Sequence, residues 1–135
     1  MPPVSWSDPT SSATERYSLL LSSVQDYLDA LYNGDVPLFE RVFHAKGRLT
    51  STVEGQIIDM GIPEYMKMVA GRPSPADRND PRMDQVLHVS MPSPTTAHAR
   101  VNDAYLPKFF TDDLTFIWDD NRWQIIQKVW HFTLI

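Results

Sequence analysis

The sequence predicts an α+β fold: helices come first, a meander of long antiparallel strands follows, and the sheet curves with the helices folded onto one face. Two observations carry this. In the first third, Tyr17, Leu20, Leu21, Val24, Tyr27, Leu28 and Leu31 recur at helical spacing and make one apolar stripe. Towards the end, KFFTDDLTFIW (108–118) and RWQIIQKVWHF (122–132) are dense in aromatic and β-branched residues, the composition of a pleated, half-buried surface. With 135 residues, the chain has the length of one domain. That domain is expected over 15–135, behind a flexible arm of residues 1–14 rich in Pro, Ser and Thr.

Each element has its own punctuation. Thr14 can cap a first helix starting at Glu15, and Asn33-Gly34 ends it. Asp35 caps a second, shorter helix with Pro37 in its first turn, reaching about Phe43. Short strands follow at Arg48–Val53 and Gln56–Met60, turning at Glu54-Gly55, and a third helix runs from Pro63 to about Ala70, ended by Gly71. RPSPADRNDPR (72–82) is too rich in proline and charge for regular structure. Strands at about 83–91 and 95–105 precede the final hairpin.

Composition excludes several function classes. A net charge of −5 and a pI near 5.2, without a Lys/Arg cluster, argue against nucleic-acid or membrane partners. The absence of cysteine removes disulfides, thiol nucleophiles and thiolate metal sites. No run approaches the ~20 apolar residues of a membrane span, and the first fourteen residues lack a signal peptide's apolar core. A cytoplasmic location is expected.

The hairpin is the most informative stretch. A loop of Asp119, Asp120 and Asn121 makes residues whose numbers sum to 240 face each other. Leu114 then meets Ile126, Phe110 meets Trp130, Trp118 meets Arg122, and Asp112 lies directly across from Lys128. A carboxylate and an ammonium on an apolar face are either a staple fixing the register or the polar floor of a pocket. Trp123, Ile117, Ile125 and Val129 fall on the opposite face. With both faces partly apolar, one can cover the helices while the other meets a second subunit.

Several strings resemble a family: VQDYLDALYNGD (24–35), LFERVFHAKGRL (38–49), a third helix, a proline-bearing loop, and FTDDLTFIWDDNRWQIIQKVWH (110–131). Their order is similar to the nuclear transport factor 2-like (SnoaL-like) superfamily, which includes ketosteroid isomerase, and within it to the putative lumazine-binding branch. The resemblance spans roughly residues 15 to 132. It implies a cystatin-like cone: a curved mixed, mainly antiparallel sheet wrapped around three helices, with a deep pocket and frequent homodimers through the sheet's outer face. It implies no reaction, because the fold hosts enzymes and binders alike. Ketosteroid isomerase activity requires a carboxylate base and two donors to an oxyanion. The resemblance puts Tyr27 at its oxyanion tyrosine, Asp112 or Asp113 at its protonated aspartate, and Ser51 at its base. Serine is no base at neutral pH, so that chemistry is not expected here.

The candidate site residues follow. Asp112 or His88 would be the acid/base of a catalytic pocket, with Tyr27 or Lys128 as donor. Tyr27, Tyr65, Phe110, Trp118 and Trp130 could line an aromatic cavity, with Arg72 reaching its mouth and His44 turning towards the sheet. Each has a plainer explanation: Tyr27 as helix core, His44 as a helix C-terminal cap, His88 as a hydrogen-bonded core residue, Arg72 as a solvated helix end. His98 reads as solvated and His131 as opposite Phe109. No histidine pair has ligand spacing on one helix, so neither a metal nor a cofactor is expected. The leading expectation is a small-molecule-binding domain with an apolar pocket, forming homodimers. The competing class is a cofactor-independent lyase, isomerase or cyclase, and a weaker third is an assembly module with a filled cavity.

Overall fold

Local sequence fixes each helix end in the computed structural model, which describes residues 12–135. The side chain of Ser12 accepts the Glu15 N–H at 3.0 Å and starts α1 (Ala13–Asn33), two residues before the expected start. The arm expected over residues 1–14 otherwise lies outside the described residues. Gly34 stops α1 in the left-handed region at φ 62°, where an L side chain would be strained. Asp35 accepts the Leu38 N–H at 3.2 Å and caps α2 (Val36–Val42). The third helix, α3 (Ile62–Ala70), begins with Pro63 in its first turn. The buried stripe of α1 is Leu20, Val24, Tyr27, Leu28 and Ala30, joined by Arg16, while Tyr17 and Leu21 are exposed. The long hydrophobic row was therefore too wide by those two residues.

The strands are β1 (Phe43–Val53), β2 (Gln56–Gly61), β3 (Gln85–Ser90), β4 (Thr96–Tyr105), β5 (Lys108–Asp119) and β6 (Arg122–Leu134). They form one sheet in the order β2-β1-β6-β5-β4-β3, antiparallel throughout except for the parallel β1–β6 pair. This is the α+β cone the sequence and its resemblance imply. The sheet bends where β1 and β6 meet: Phe43 pairs with Ile125 but Arg48 with Gln127, so residues 44–47 bulge out of the ladder. Gly47 sits in that bulge, where a Cβ would stand 2.9 Å from the His44 carbonyl oxygen and 3.1 Å from that of Ile125. The β1 strand thus starts five residues before its predicted start.

The hairpin differs from its predicted register in two ways. Its loop has two residues, Asp120 (φ 54°) and Asn121 (φ 57°), both left-handed as a type I′ turn requires. Trp118 therefore faces Trp123, and Asp119 faces Arg122. Ile126 is then an extra residue: Phe116 pairs with Ile125, but Thr115 pairs with Gln127. Beyond this bulge Lys128 faces Leu114 and Asp112 faces Trp130, so Asp112 and Lys128 are diagonal rather than direct neighbours. The bulge also reverses the inward side of β6. Trp123 and Ile125, expected on the outer face, are buried in the core with Leu114 and Phe116, and after Ile126 the inward residues are Lys128, Trp130 and Phe132. Among the described residues no helix is long and apolar enough to cross a membrane.

Candidate functional site

Deep on the largely apolar concave face of the sheet, β4, β5 and β6 each bring one buried ionisable residue to the same place. Along β4 the inward residues are Ala97, Ala99, Val101 and Asp103, all buried. Val101 faces Asp112, and Asp103 faces Phe110, which makes Asp103 and Asp112 diagonal neighbours on the same face. Asp112 is fully buried; Asp103 is 7% exposed and Lys128 6%.

The contacts define a network. The Tyr27 hydroxyl donates to Asp112 Oδ2 at 2.7 Å, and Lys128 Nζ lies 3.8 Å from that oxygen. The Lys128 ammonium is also surrounded by rings, at 5.3 Å from Tyr27, 5.2 Å from Tyr65 and 5.8 Å from Trp130. Tyr27 is held edge-on against Phe39 and Phe43, at ring separations of 6.3 and 6.0 Å. Two oxygens in the network, Asp103 Oδ2 and Asp112 Oδ1, are buried without a hydrogen-bond partner.

Electrostatics follow from this burial. Loss of solvent, then the charge of Asp112 beside it, hold the Asp103 carboxyl well above the usual carboxylate range. Burial, with Asp112 and Asp103 behind it, pushes the Tyr27 phenol well above its ordinary value, so it remains a neutral donor. For Lys128, burial disfavours the ammonium, but Asp112, Tyr65 and Asp103 outweigh it and the group is raised. Lys128 is therefore a charged partner, not a neutral amine nucleophile.

A cavity of about 240 Å³ opens beside the network. Asp103, Lys128, Tyr65 and Trp130 stand in its wall together with Leu49, Met60, Phe110 and Phe132. Arg72 and Lys108 line it as well. Lys108 is exposed and Arg72 half-buried, which puts them at the mouth. The Arg72 guanidinium stacks 4.2 Å over the Tyr105 ring, and the Lys108 ammonium lies 4.8 Å over Phe132. Tyr27 and Asp112 do not line the cavity; they sit behind Lys128 and Asp103 and hold them.

Of the residues predicted from sequence, Tyr65, Arg72, Phe110, Lys128 and Trp130 thus share one cavity, backed by Tyr27 and Asp112. Three others lie elsewhere. His44 is in the β1 bulge, its Nε2 2.9 Å from Asp119 Oδ2 and its Nδ1 accepting the Lys46 N–H. It caps no helix, because α2 ends at Val42 and the chain enters β1 directly. Trp118 lies near the hairpin turn, 5.4 Å from the Trp123 ring and beneath the Arg16 guanidinium at 4.1 Å. His88 is exposed on edge strand β3, its ring 6.0 Å from His98. It is neither in the core nor in the cavity. Ser51 donates to the Trp130 carbonyl, and Asp113 points outward to His98 and Arg100. Among the described residues no cluster of His, Cys, Asp or Glu could hold a metal ion.

Sequence reasoning missed Asp103. Its signal was present: in AHARVNDAY, Ala97, Ala99 and Val101 alternate with polar residues, so the next residue in phase belongs to the core face. A carboxylate there interrupts an apolar row.

The sequence profile of the family described as "Putative lumazine-binding" matches residues 15–131. No curated protein matches the chain. Among solved structures, it is similar to an NTF2-like protein of unknown function from Silicibacter pomeroyi, with 23% identity, a TM-score of 0.80, and coverage of 91% of this chain and 100% of that one. An NTF2-like protein of unknown function from Shewanella baltica aligns at 14% identity and TM-score 0.79, covering 93% and 99%. A ketosteroid isomerase-like protein from Erwinia carotovora aligns at 12% identity and TM-score 0.70, covering 90% and 98%. At these identities the likeness establishes the fold.

Proposed function

The chain belongs to the "Putative lumazine-binding" family, and from that premise we propose that it binds a small organic molecule in the cavity between the concave sheet and α3. The observation that carries this reading is the wall itself. Rings and aliphatic side chains surround a charged lysine and a buried carboxyl that reach the same space. Ligand pockets combine mostly apolar walls with a few fixed polar groups, at volumes of roughly 300–1,000 Å³ for drug-sized ligands. This cavity is smaller and suits a smaller molecule.

The test uses lumazine as the probe alongside mass spectrometry of small molecules released when the purified protein is denatured. A filled cavity, made by Met60→Trp, should abolish both lumazine-induced stabilisation and any co-purified compound. Retention of ligand by a folded Met60→Trp protein would overturn the reading.

A second reading, a cofactor-independent lyase, isomerase or cyclase, is favoured by one observation: a buried carboxyl, Asp103, and the Lys128 ammonium line the cavity together, with the Asp112 carboxyl and the neutral Tyr27 phenol behind them. In this reading Asp103, rather than the solvent-exposed His88, supplies the acid/base group.

We also read the protein as a cytoplasmic homodimer joined through the outer face of the sheet. Trp123 and Ile125 no longer support that interface. Val129, 46% exposed, and the half-buried Phe109 and Ile117 still do. Sedimentation at micromolar concentration should give a dimer that Val129→Asp dissociates; a monomeric parent protein would refute it.

A further inference from the structure

We propose that the cavity takes a small monocarboxylate body first: Arg72 and Lys108 hold its carboxylate at the mouth, and its uncharged end lies against Asp103 and Lys128. This assignment rests on the ligand-binding reading above and names the class of ligand.

Strand register gathers the two mouth cations. Tyr105 and Lys108 face each other across the β4–β5 ladder, and directly opposed strand residues have Cβ atoms about 5 Å apart. The Arg72 guanidinium rests 4.2 Å over that same Tyr105 ring, which brings its charge to the Lys108 end of the cavity. All three residues line the cavity.

Neither cation is neutralised within the chain. Arg48, Arg78, Arg82, Arg100 and Arg122 each have a carboxylate oxygen within 3.4 Å. Arg78 also lies over Tyr105, at 4.7 Å, yet it pairs with Asp80 and donates to the Leu106 carbonyl. Among the described residues neither Arg72 nor Lys108 has a carboxylate partner; each rests on an aromatic ring instead. Among those residues Asp103 is also the only carboxylate in the cavity wall, and it is buried at the floor. The fork of Arg72 matches a carboxylate in two parallel hydrogen bonds, and Lys108 adds a second positive charge beside it.

The floor has the opposite demand. The Lys128 ammonium already has Asp112 at 3.8 Å, and Asp103 acts on it as well. A ligand anion placed there would be a third acid on one cation, away from solvent, which makes it costly. An uncharged end meets no such penalty.

Spacing sets the length of the body. Asp103 and Tyr105 are two residues apart on β4, and Lys128 and Phe132 four apart on β6. At ~3.3 Å per strand residue, floor and mouth are about 7 to 13 Å apart. One ring on a short chain spans that gap.

Calorimetry with four probes tests the class: 3-phenylpropionate, its amide, 3-phenylpropylamine, and 3-(4-carboxyphenyl)propionate, which carries a second carboxylate at the far end. The monoacid should bind roughly tenfold or more tightly than each of the others. Added salt should weaken the monoacid and leave the amide unchanged. Arg72→Gln with Lys108→Gln, checked for folding by thermal melting, should lower the monoacid to the affinity of the amide. Arg72→Glu with Lys108→Glu should reverse the order and favour the amine. Equal binding of acid and amide by the wild type, or undiminished acid binding by the folded Gln variant, overturns the carboxylate's place at the mouth. A diacid that binds as tightly as the monoacid overturns the uncharged floor. Failure of the monoacid to bind overturns the class; where lumazine or a co-purified compound still occupies the cavity, the binding reading stands. If Met60→Trp leaves every ligand bound, it is the binding reading that fails.

Discussion

Removing the Lys128 ammonium while keeping its bulk, as in Lys128→Met, should destabilise the protein by about 4 kcal/mol at pH 7. Two routes to this figure agree. Unit charges at the 3.8 Å separation of Lys128 and Asp112 attract by about 4 kcal/mol at an effective dielectric constant of roughly 20, and both side chains are almost wholly out of solvent. Alternatively, the orphaned carboxylate escapes by taking up a proton, which costs a carboxyl of ordinary affinity about 4 kcal/mol at pH 7. The second route makes the loss pH-dependent: at pH 5 the same protonation costs only about 1.5 kcal/mol, so the penalty should shrink accordingly. Urea unfolding followed by tryptophan fluorescence at fixed protein concentration reads this directly, since Trp123 is buried. The double variant Lys128→Met, Asp112→Asn should recover most of the loss. The Asn oxygen still accepts from Tyr27 and its amide can donate to Asp103, while no unpaired charge remains. A pH 7 loss below about 1 kcal/mol, a loss equal at pH 5 and pH 7, or no recovery in the double variant would refute the reasoning.

Three further outcomes are expected. Tyr27→Phe removes the donor to a buried, charged acceptor and should cost about 2 kcal/mol in the same unfolding assay. For Asp103, whose carboxyl is raised and is faced by Asp112, Lys128, Tyr27 and Asp84, the native state keeps a proton that the unfolded state releases above about pH 4. Wild-type stability should therefore fall relative to Asp103→Asn as pH rises from 4, by up to about 1.4 kcal/mol per unit, until the native carboxyl ionises; parallel pH profiles would contradict this. Asn121→Gly relieves a left-handed non-glycine position in the type I′ turn and should raise thermal stability by about 0.5 kcal/mol, with a lower melting temperature as the contrary result.

Much of the fold was legible because its punctuation is local. Asp35, Asn33-Gly34, Glu54-Gly55 and Gly71 each act within a few residues of the chain, and the structure places caps and turns at them. Register was not legible to the same degree. The choice between a two- and a three-residue loop at Asp119–Asn121 turns on backbone dihedrals, and the Ile126 bulge depends on how β6 lies beside β1 as well as β5. The two differences together left Asp112 and Lys128 on one face, one step apart along the ladder. They sent Trp123 and Ile125 inward, which no local rule for the hairpin alone required. His88 and His44 were drawn towards the site by residue type, but the curvature of the sheet leaves one on an edge strand and the other beyond the end of the cavity.

Ile126 works as a frame marker for half of the site. Because successive strand residues point to opposite sides, everything downstream of it keeps its side only while that residue stays bulged out of the ladder. Pairing it in register while the turn stays as it is would turn Lys128, Trp130 and Phe132 outward and bring Val129, His131 and Thr133 to the concave side. Asp112 would then face Val129 in place of Trp130, and Lys128 would leave the concave side. One backbone position that contacts neither the cavity nor its charges therefore separates two different interiors. A relative of this chain one residue shorter between Asn121 and Lys128 should keep the same interior on an unbroken ladder, whereas one of equal length keeps it only with the bulge.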